Sequence, residues 1–308
     1  MPLPSSLKTN LKLPAIAAPM FLVSGPELVI ATCNAGVIGS FPAVNARTAD
    51  DFAQWMKKID DETGDDAAPY AVNFPLSRMK GGMLDGHMDI CRDYKTPIII
   101  TSVGNPASIV DEIHDWGGLV FHDVTTVDHA KKAAAAGVDG LILVCAGAGG
   151  HAGTATPFAL VEQVRAFYDG IIILGGGIST GRAIRAAEVL GADLSYLGTR
   201  FIATQEAMAE EAYKEMLITE DTHNIVYTNA ISGLPANFMR TSLEAANLDP
   251  NNLPEPHGPF RPNLPEDIIA WKTVWSAGQG VGLIHNSPSA ADLVKQMTAE
   301  YQTACEMK

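Results

Sequence analysis

One imidazole, that of His151, stands in the segment VCAGAGGHAGTATPF, among glycines and alanines and with no acidic residue nearby. A histidine titrates near neutral pH, so it can remove or donate a proton during catalysis. A lone loop histidine is more often a structural hydrogen-bonding group, and its place in the fold decides between the two roles. Because the segment follows a predicted strand at residues 140–145, we expect His151 to project from a strand end.

Two glycine segments have the composition of an anion site. ILGGGISTGRA contains Gly176 and Gly177 and runs into a predicted helix, and YLGTRFIATQEA contains Gly198 and Thr199. Free backbone N–H groups in such loops, together with the positive end of a helix dipole, attract phosphate. Two such segments after consecutive predicted strands favour a phosphorylated ligand, with glycines that only permit tight turns as the alternative.

A flat ring could bind beside these glycine segments. Ala18 and Met20, in AAPM at the end of the first predicted strand, offer backbone groups and an unbranched thioether. Asn73, at the end of the third predicted strand, offers both a donor and an acceptor for the edge of a heterocycle. Each alone is compatible with a core or turn role. Together with the glycine segments they outline a pocket for a mononucleotide with a large planar ring.

Other polar residues have roles that the sequence leaves open. Gln279 is the one strong hydrogen-bonding side chain in WSAGQGVGLI, a segment that either approaches a ring or forms an ordinary turn. His122 and Asp123, at the end of the fifth predicted strand, are second candidates for proton transfer, or one of them supports its neighbour. The residues at the strand ends do not combine into a persuasive metal site, and no metal is expected.

These residues follow strands in a repeating pattern. Short apolar runs alternate with segments of helical periodicity, which is typical of strand and helix units around a parallel sheet. Eight strands are predicted, at residues 15–20, 36–43, 70–74, 97–103, 119–124, 140–145, 171–177 and 194–199. Helices are predicted at residues 25–35, 48–64, 83–94, 106–117, 126–137, 156–168, 180–191 and 204–218.

Eight such units predict a (β/α)8 TIM barrel of the α/β class, in which chemistry takes place at the carboxyl ends of the strands. The competing doubly wound sheet would require G-x-G-x-x-G after its first strand, where this chain has APMFLVSGP. We predict a barrel at residues 1–219, an insertion or lid rich in Pro and Asn at residues 220–270, and a C-terminal loop and helix at residues 271–308 that pack back on the barrel.

The composition narrows the class of protein. The chain has 308 residues, a hydrophobic content of 47% and a net charge of -14, as in a folded protein that would repel nucleic acid and anionic membranes. Neither a secretory signal nor an apolar run of membrane-spanning length is present. The four cysteines lack paired spacing, so free thiols and a cytoplasmic enzyme are expected.

Taken together, these segments resemble the nitronate monooxygenase family, formerly called 2-nitropropane dioxygenases, which are FMN-dependent barrels. The resemblance rests on AAPM, AVNFP, GAGGHAG, LGGGISTGRAI, GADLSYLGTRFIAT and GQGVGLI, which occur in this order over most of the chain. Flavin NAD(P)H:quinone reductases and flavin enoyl-acyl-carrier-protein reductases are related to this family. The combination is far more specific than any one of its motifs.

The resemblance implies a role for each candidate residue. Ala18 and Met20 would border the flavin ring, and Asn73 would form a hydrogen bond to it. Gln279 would contact the cofactor, and His151 would be the catalytic residue. The phosphate would be held by Gly176, Gly177, Gly198 and Thr199.

The resemblance also implies a reaction. The family histidine stands beside the flavin and can take a proton from the substrate carbon, and an alkyl nitronate is oxidised by O2 to a carbonyl compound and nitrite. NAD(P)H-dependent reduction of quinones or enoyl thioesters on the same scaffold is one alternative. A flavin-free barrel that binds a phosphorylated metabolite, as an enzyme or as a binding protein, is another. The expected partners are a small-molecule substrate and O2, and a homodimer is possible.

One segment departs from the family pattern. Many relatives carry an acidic residue shortly before Gly-Gly-His, whereas this chain has Cys-Ala-Gly-Ala at residues 145–148. The glycine segments expected to hold the phosphate are intact. The departure therefore bears on the substrate more than on the cofactor.

Overall fold

Eight parallel strands form a nearly closed barrel in the computed structural model, which describes residues 3–8, 10–79 and 82–307. In chain order, the strands are β1 (Ala15–Ala17), β2 (Gly39–Pro42), β3 (Tyr70–Pro75), β4 (Ile98–Ser102), β5 (Leu119–Val124), β6 (Gly140–Val144), β7 (Gly150–His151), β8 (Ile171–Gly175), β9 (Leu194–Leu197), β10 (Ile225–Thr228) and β11 (Ala236–Met239). The strands β7, β10 and β11 form a smaller sheet, and the other eight form the barrel. The order around the barrel is β1-β9-β8-β6-β5-β4-β3-β2. A parallel bridge between Ile16 and Ile38 brings the two ends together, so the predicted (β/α)8 barrel is confirmed.

Alternate side chains of the barrel strands fill its interior, because successive residues of a strand point to opposite faces. The interior core includes Ile16, Ile38, Ala71, Ile98, Ile100, Phe121, Ile142, Ile173 and Leu194. Intervening residues such as Ile99, Val120 and Leu141 pack in a second core under the helices. Burial on both faces explains why the strands could be predicted as short continuous apolar runs.

Twelve α-helices are present in the described ranges: α1 (Ser5–Lys8), α2 (Pro26–Ala35), α3 (Ala49–Glu62), α4 (Met83–Asp93), α5 (Val110–Asp115), α6 (Val127–Ala135), α7 (Pro157–Arg165), α8 (Gly181–Leu190), α9 (Thr199–Ile202), α10 (Glu211–Thr219), α11 (Arg240–Ala245) and α12 (Ala290–Glu306). Thr48, Thr126 and Thr180 cap α3, α6 and α8 by accepting a hydrogen bond from a first-turn N–H group. Gly36 and Gly191 end α2 and α8 in the left-handed conformation. These are the cap signals that the sequence carries.

Two predicted helices differ from the structure. The helix predicted at residues 204–218 begins only at Glu211. Before it, the N–H group of Gln205 donates to the carbonyl of Pro288 at 3.0 Å, and that of Met208 donates to Val23 at 2.9 Å. These bonds to distant segments replace the local helical bonds, so tertiary contacts override propensity. The segment predicted as a helix at residues 106–117 divides into a 3-10 turn and α5.

The predicted insertion contains β10, β11 and α11 and forms a small sheet with the order β10-β11-β7. Its apolar residues, among them Ile231 and Phe238, form a separate core together with Val274 from the segment that follows. Further along the chain, α12 packs against α8 and α2. The domain boundaries at residues 219 and 270 stay predictions, and residues 1, 2 and 308 of the predicted terminal units lie outside the described residues.

Two features bear on the surroundings of the protein. Within the described ranges, no helix combines the length and apolar character needed to cross a membrane. All four cysteines are free thiols, and Cys33, Cys91 and Cys145 are buried whereas Cys305 is exposed. Burial raises the pKa of the Cys145 thiol to about 12, so this residue before the His151 loop is not a ready nucleophile.

Candidate active site

A cavity of about 1570 Å³ opens at the carboxyl ends of the barrel strands. Pockets for a single small molecule usually measure roughly 300 to 1,000 Å³. The cavity therefore has room for a cofactor-sized molecule and a second ligand beside it. Predicted site residues that line it are Ala18, Met20, Asn73, His151, Gly176, Gly177, Gly198 and Thr199.

Gln279 is the predicted site residue that lies outside the cavity lining. Its side chain is exposed. Its side-chain oxygen lies 2.9 Å from the position that a Cβ atom on Gly147 would take, and so fills that space. Its backbone N–H donates to the carbonyl of Gly147 at 2.8 Å. The neighbouring Gly278 and Gly280 line the cavity instead. Gln279 thus ties this loop to the loop that carries His151, and its contact with a cofactor stays a prediction.

The ends of β8 and β9 present a set of free backbone donors. No hydrogen bond from the N–H groups of Gly176, Gly177, Gly198 or Thr199 is found among the described residues. Gly176 and Gly177 have φ values of 134° and 70°, a conformation that glycine adopts without steric cost and that turns successive N–H groups in one direction. These N–H groups belong to partly or fully exposed residues that line the cavity, so they can donate to an anion bound there.

The first turn of α8 does not contribute to this cradle, contrary to the expectation from the helix dipole. The N–H group of Gly181 donates to the Glu300 carboxylate at 2.8 Å, and that of Ala183 donates to the Thr180 hydroxyl. Gly181 packs so closely on α12 that a Cβ atom would overlap the carbonyl of Met297. A carboxylate of the protein already complements the positive end of this helix. The sequence could not show this, because Glu300 lies far away in the chain.

Asn73 presents a hydrogen-bond acceptor to the cavity. Its side-chain nitrogen donates to the carbonyl of Ile100 at 3.3 Å and to the Ser102 hydroxyl at 3.2 Å. Its side-chain oxygen has no partner among the described residues and is not fully enclosed. An N–H group at the edge of a heterocycle could donate to this oxygen. Met20 and Ala18 lie next to Gly198, at 3.7 and 3.9 Å from the position that a Cβ atom would take there.

His151 lies under an aromatic cover. Gly150 and His151 form β7 and pair with Asn237 and Ala236 of β11. The Trp271 ring meets the imidazole edge to face at a centroid distance of 5.0 Å, and the Phe260 ring lies at 6.5 Å. These contacts fix the orientation of the imidazole and remove water from one side of it.

The environment of His151 keeps the imidazole neutral. Burial and, to a smaller extent, the nearby positive charge of Arg78 together lower the pKa of His151 to about 4. Its Nε2 atom lies 3.3 Å from the Ser232 hydroxyl oxygen. A neutral imidazole at the mouth of a barrel is able to accept a proton near neutral pH.

Comparison with known proteins decides the family. The family model for nitronate monooxygenase matches residues 75–300. A nitronate monooxygenase of Paraburkholderia phytofirmans is 30% identical over 95% of this chain and 93% of the relative. The chain belongs to the nitronate monooxygenase family.

Two further similarities place this family member among its relatives. The crystal structure of a nitroalkane oxidase from Streptomyces ansochromogenes superposes with a TM-score of 0.81 and 26% identity, and covers 98% of this chain and 99% of the other. A dehydrogenase of a bicyclic carboxyl-CoA compound from Mycobacterium tuberculosis is 26% identical over 75% of this chain and 64% of its own length. Membership in the nitronate monooxygenase family makes this protein an oxidoreductase, and its solved neighbour is a nitroalkane oxidase.

The partners of His151 in this family member are not among the site residues that the sequence predicts. Ser232, Phe260 and Trp271 come from the segment after the barrel, where the sequence showed no repeating pattern. The side chain of Asn237 also donates to the carbonyl of Ala148 at 2.7 Å and so holds the His151 loop. The apolar runs IVYT and ANFM could have predicted β10 and β11, but their pairing with β7 has no local signal.

His122 and Asp123 both line the cavity of this family member, and burial favours the neutral form of each side chain. The Thr101 hydroxyl lies 2.7 Å from Nδ1 of His122, and burial lowers the pKa of His122 to about 4. Burial raises the pKa of Asp123 to about 7, and its Oδ1 atom is buried without a partner. Within the described residues, no group of His, Cys, Asp and Glu side chains has the arrangement of a metal site.

Proposed function

We propose that this protein binds FMN and oxidises alkyl nitronates with O2 to a carbonyl compound and nitrite, with His151 as the catalytic base. The observation that supports it is a neutral imidazole facing the same cavity as a cradle of free backbone donors. In the family to which the chain belongs, this pairing places proton transfer beside the cofactor.

The residues present fit FMN. The free N–H groups after β8 and β9 would hold its phosphate, and the side-chain oxygen of Asn73 would accept a hydrogen bond from the N–H edge of its ring. Ala18 and Met20 would border the ring with apolar surface. Bound flavin would supply the electron transfer between the substrate and O2 that amino-acid side chains cannot provide.

The groups around His151 fit a nitronate. His151 is neutral and can accept the carbon proton of a neutral nitroalkane, which turns that molecule into the nitronate, and it can hold that proton only weakly. Arg78, whose guanidinium lies 5.1 Å from the centre of the Phe260 ring, lines the same cavity and would attract the negative charge of the nitronate. Phe260 and Trp271 keep water away from the reacting carbon.

The test is an absorbance spectrum of the purified protein, followed by anaerobic addition of an alkyl nitronate and then by admission of O2. We expect a flavin spectrum, bleaching by the nitronate, and release of nitrite when O2 is admitted. Yellow holoenzyme that neither bleaches nor releases nitrite would contradict the proposed reaction but not FMN binding. A colourless protein that cannot be reconstituted with FMN would favour a flavin-free barrel.

A second candidate function is an NAD(P)H-dependent or thioester-dependent flavin oxidoreductase. The cavity of about 1570 Å³ exceeds the roughly 1,000 Å³ of a large single-ligand pocket, and one relative is a dehydrogenase of a carboxyl-CoA compound. Anaerobic bleaching of the flavin by NADH or NADPH, faster than by any nitronate, would favour this function. A homodimer and a cytoplasmic location stay predictions from the sequence.

A further inference from the structure

The hydrogen bonds of the Ser232 hydroxyl can be assigned completely. Ser232 follows β10, and its hydroxyl donates to the carbonyl of Leu234 at 2.9 Å. A serine hydroxyl has one proton to donate and two lone pairs that accept. The proton is used on Leu234, so the contact of 3.3 Å with Nε2 of His151 can only be one in which the hydroxyl accepts. The N–H group of Leu234, at 3.4 Å, is directed to the other lone pair.

This assignment determines where the imidazole carries its proton. A neutral histidine has one N–H group and one nitrogen with a lone pair. Because Ser232 accepts from Nε2, the proton lies on Nε2 and the lone pair lies on Nδ1. Nδ1 has no hydrogen-bond partner among the described residues, and no atom of His151 is among their enclosed unpaired side-chain atoms. Since His151 lines the cavity, Nδ1 opens into it.

We propose that Ser232 is a positioning residue that holds His151 as the Nε2–H tautomer, so that Nδ1 is the nitrogen that takes the proton from the substrate. The identity of the substrate rests on the proposed function, whereas the tautomer rests on the contacts of Ser232 alone. The step moves one proton from the substrate carbon to Nδ1, leaves its electron pair on the substrate, and turns the imidazole into an imidazolium that still donates from Nε2 to Ser232.

The fold holds Ser232 in place for this role. The next residue, Gly233, has φ 76°, and a Cβ atom on it would lie 2.5 Å from the N atom of Phe260. Its N–H group donates to the carbonyl of Asn229 at 2.9 Å. In β11, Ala236 pairs with His151, so the register of the small sheet fixes the hydroxyl relative to the imidazole. Ser232 is also buried, so water does not compete strongly for the contact.

The direct test is ¹⁵N NMR of full-length holoenzyme labelled at histidine, with the His151 signals identified by their loss in His151→Ala. We expect a protonated Nε2 and an unprotonated Nδ1, unchanged over about pH 5.5 to 8 because the pKa of His151 lies near 4. Ser232→Ala should give a mixture of the two tautomers, and Ser232→Thr, which keeps the hydroxyl, should restore the single one.

Ser242→Ala is the matched control for these variants. The Ser242 hydroxyl is buried in the same segment and accepts from the N–H group of Trp275 at 2.7 Å. Its loss should lower the melting temperature about as much as Ser232→Ala and leave the His151 tautomer unchanged. An Nδ1–H tautomer in the wild type, or an unchanged single tautomer in Ser232→Ala, would overturn the proposal.

Kinetics with a neutral nitroalkane, whose carbon still carries its proton, separate positioning from simple stability. Ser232→Ala should lower kcat about twofold or more at an unchanged flavin content, with little change in KM, because half or more of the imidazole molecules lose a free Nδ1. Ser232→Thr should recover most of kcat. Equal kcat in Ser232→Ala and wild type would overturn the catalytic part of the proposal. A wild type without nitronate activity would refute the proposed function, and the NMR result would still decide the tautomer.

Discussion

The two walls of the cavity are built in different ways. The barrel wall, formed by Asn73 of β3, His122 and Asp123 of β5 and the glycine loops after β8 and β9, consists of residues that lie in the strands of one sheet or directly follow them. The cover wall, formed by Ser232, Phe260 and Trp271, reaches His151 from a part of the chain 81 residues further on at Ser232. The barrel wall offers donors for an anion, and the cover wall controls a proton. Local sequence is therefore sufficient to predict the barrel wall, whereas it does not predict the cover wall.

The two buried histidines at the cavity show the same difference. His122 belongs to the barrel wall, where Thr101 of the neighbouring strand donates to Phe121 and so accepts from Nδ1 of His122. His151 contacts a hydroxyl of the cover wall in the same manner, but through Nε2. Both are neutral near neutral pH, and they carry their protons on opposite nitrogens. The position of one hydroxyl relative to the ring is enough to make this difference.

The largest expected effect comes from a negative charge introduced into the barrel wall, which should lower the affinity for FMN. Gly177→Asp places a carboxylate where a Cβ atom meets nothing within 4 Å, directly in the anion cradle. Repulsion between two charges at about 4 Å costs about 4 kcal/mol at an effective dielectric constant of about 20, so FMN affinity should fall roughly a thousandfold. Fluorescence titration with FMN measures it. Gly177→Ala, with the same backbone strain and no charge, is the control, and equal losses in both variants would argue against a phosphate cradle.

Removal of the base from under the cover wall should affect turnover and not cofactor binding. His151→Ala should keep FMN and lower kcat for a neutral nitroalkane roughly a hundredfold or more, because general base catalysis contributes about 10² to 10⁴. Steady-state nitrite release and flavin content measure the two effects. His285→Ala, an exposed histidine, serves as the control. Full turnover in His151→Ala would return this residue to a structural role.

The free energy of unfolding should depend on Asp123, which belongs to the barrel wall. Its pKa is about 7 in the folded protein and near 3.8 when unfolded, so only the unfolded chain loses this proton as the pH rises between those values. Wild type should therefore lose stability relative to Asp123→Asn from about pH 4 to 7, by at most about 4 kcal/mol at about 1.4 kcal/mol per pKa unit. Melting temperatures of the two flavin-free proteins over this range test it, and a constant difference would refute a protonated Asp123.

A smaller effect should follow from Arg78, next to the cover wall. Its positive charge is the second cause, after burial, of the low pKa of His151. Arg78→Gln should raise the pKa of His151. Because the base acts only when it is neutral, the loss of activity on acidification then begins at a higher pH than in the wild type. The acid limb of kcat/KM should move from near pH 4 to a higher pH, while the relative activity at alkaline pH stays constant. Arg92→Gln, which changes an exposed guanidinium paired with Asp89 and Glu112, is the control. An unmoved limb would contradict the electrostatic role.

Much of the fold followed from local signals. The eight barrel strands lie where apolar runs predicted them, because their residues are buried on both faces of the sheet. The exceptions have tertiary causes. Residues 204–210 hydrogen-bond to Val23 and Pro288 in place of forming a helical turn. The dipole of α8 is complemented by Glu300, so the anion cradle consists of loop donors alone.

The sequence by itself determined the barrel, the cradle loops, the single histidine of the β6 loop and the resemblance to a family. The tertiary structure alone decided that Gln279 turns to Gly147, that Phe260 and Trp271 cover the imidazole, and that Ser232 faces Nε2. The physical reason is the range of the interactions. Strand burial, helix caps and glycine conformations are set within a few residues, whereas a hydrogen bond between His151 and Ser232 exists only after β11 has paired with β7.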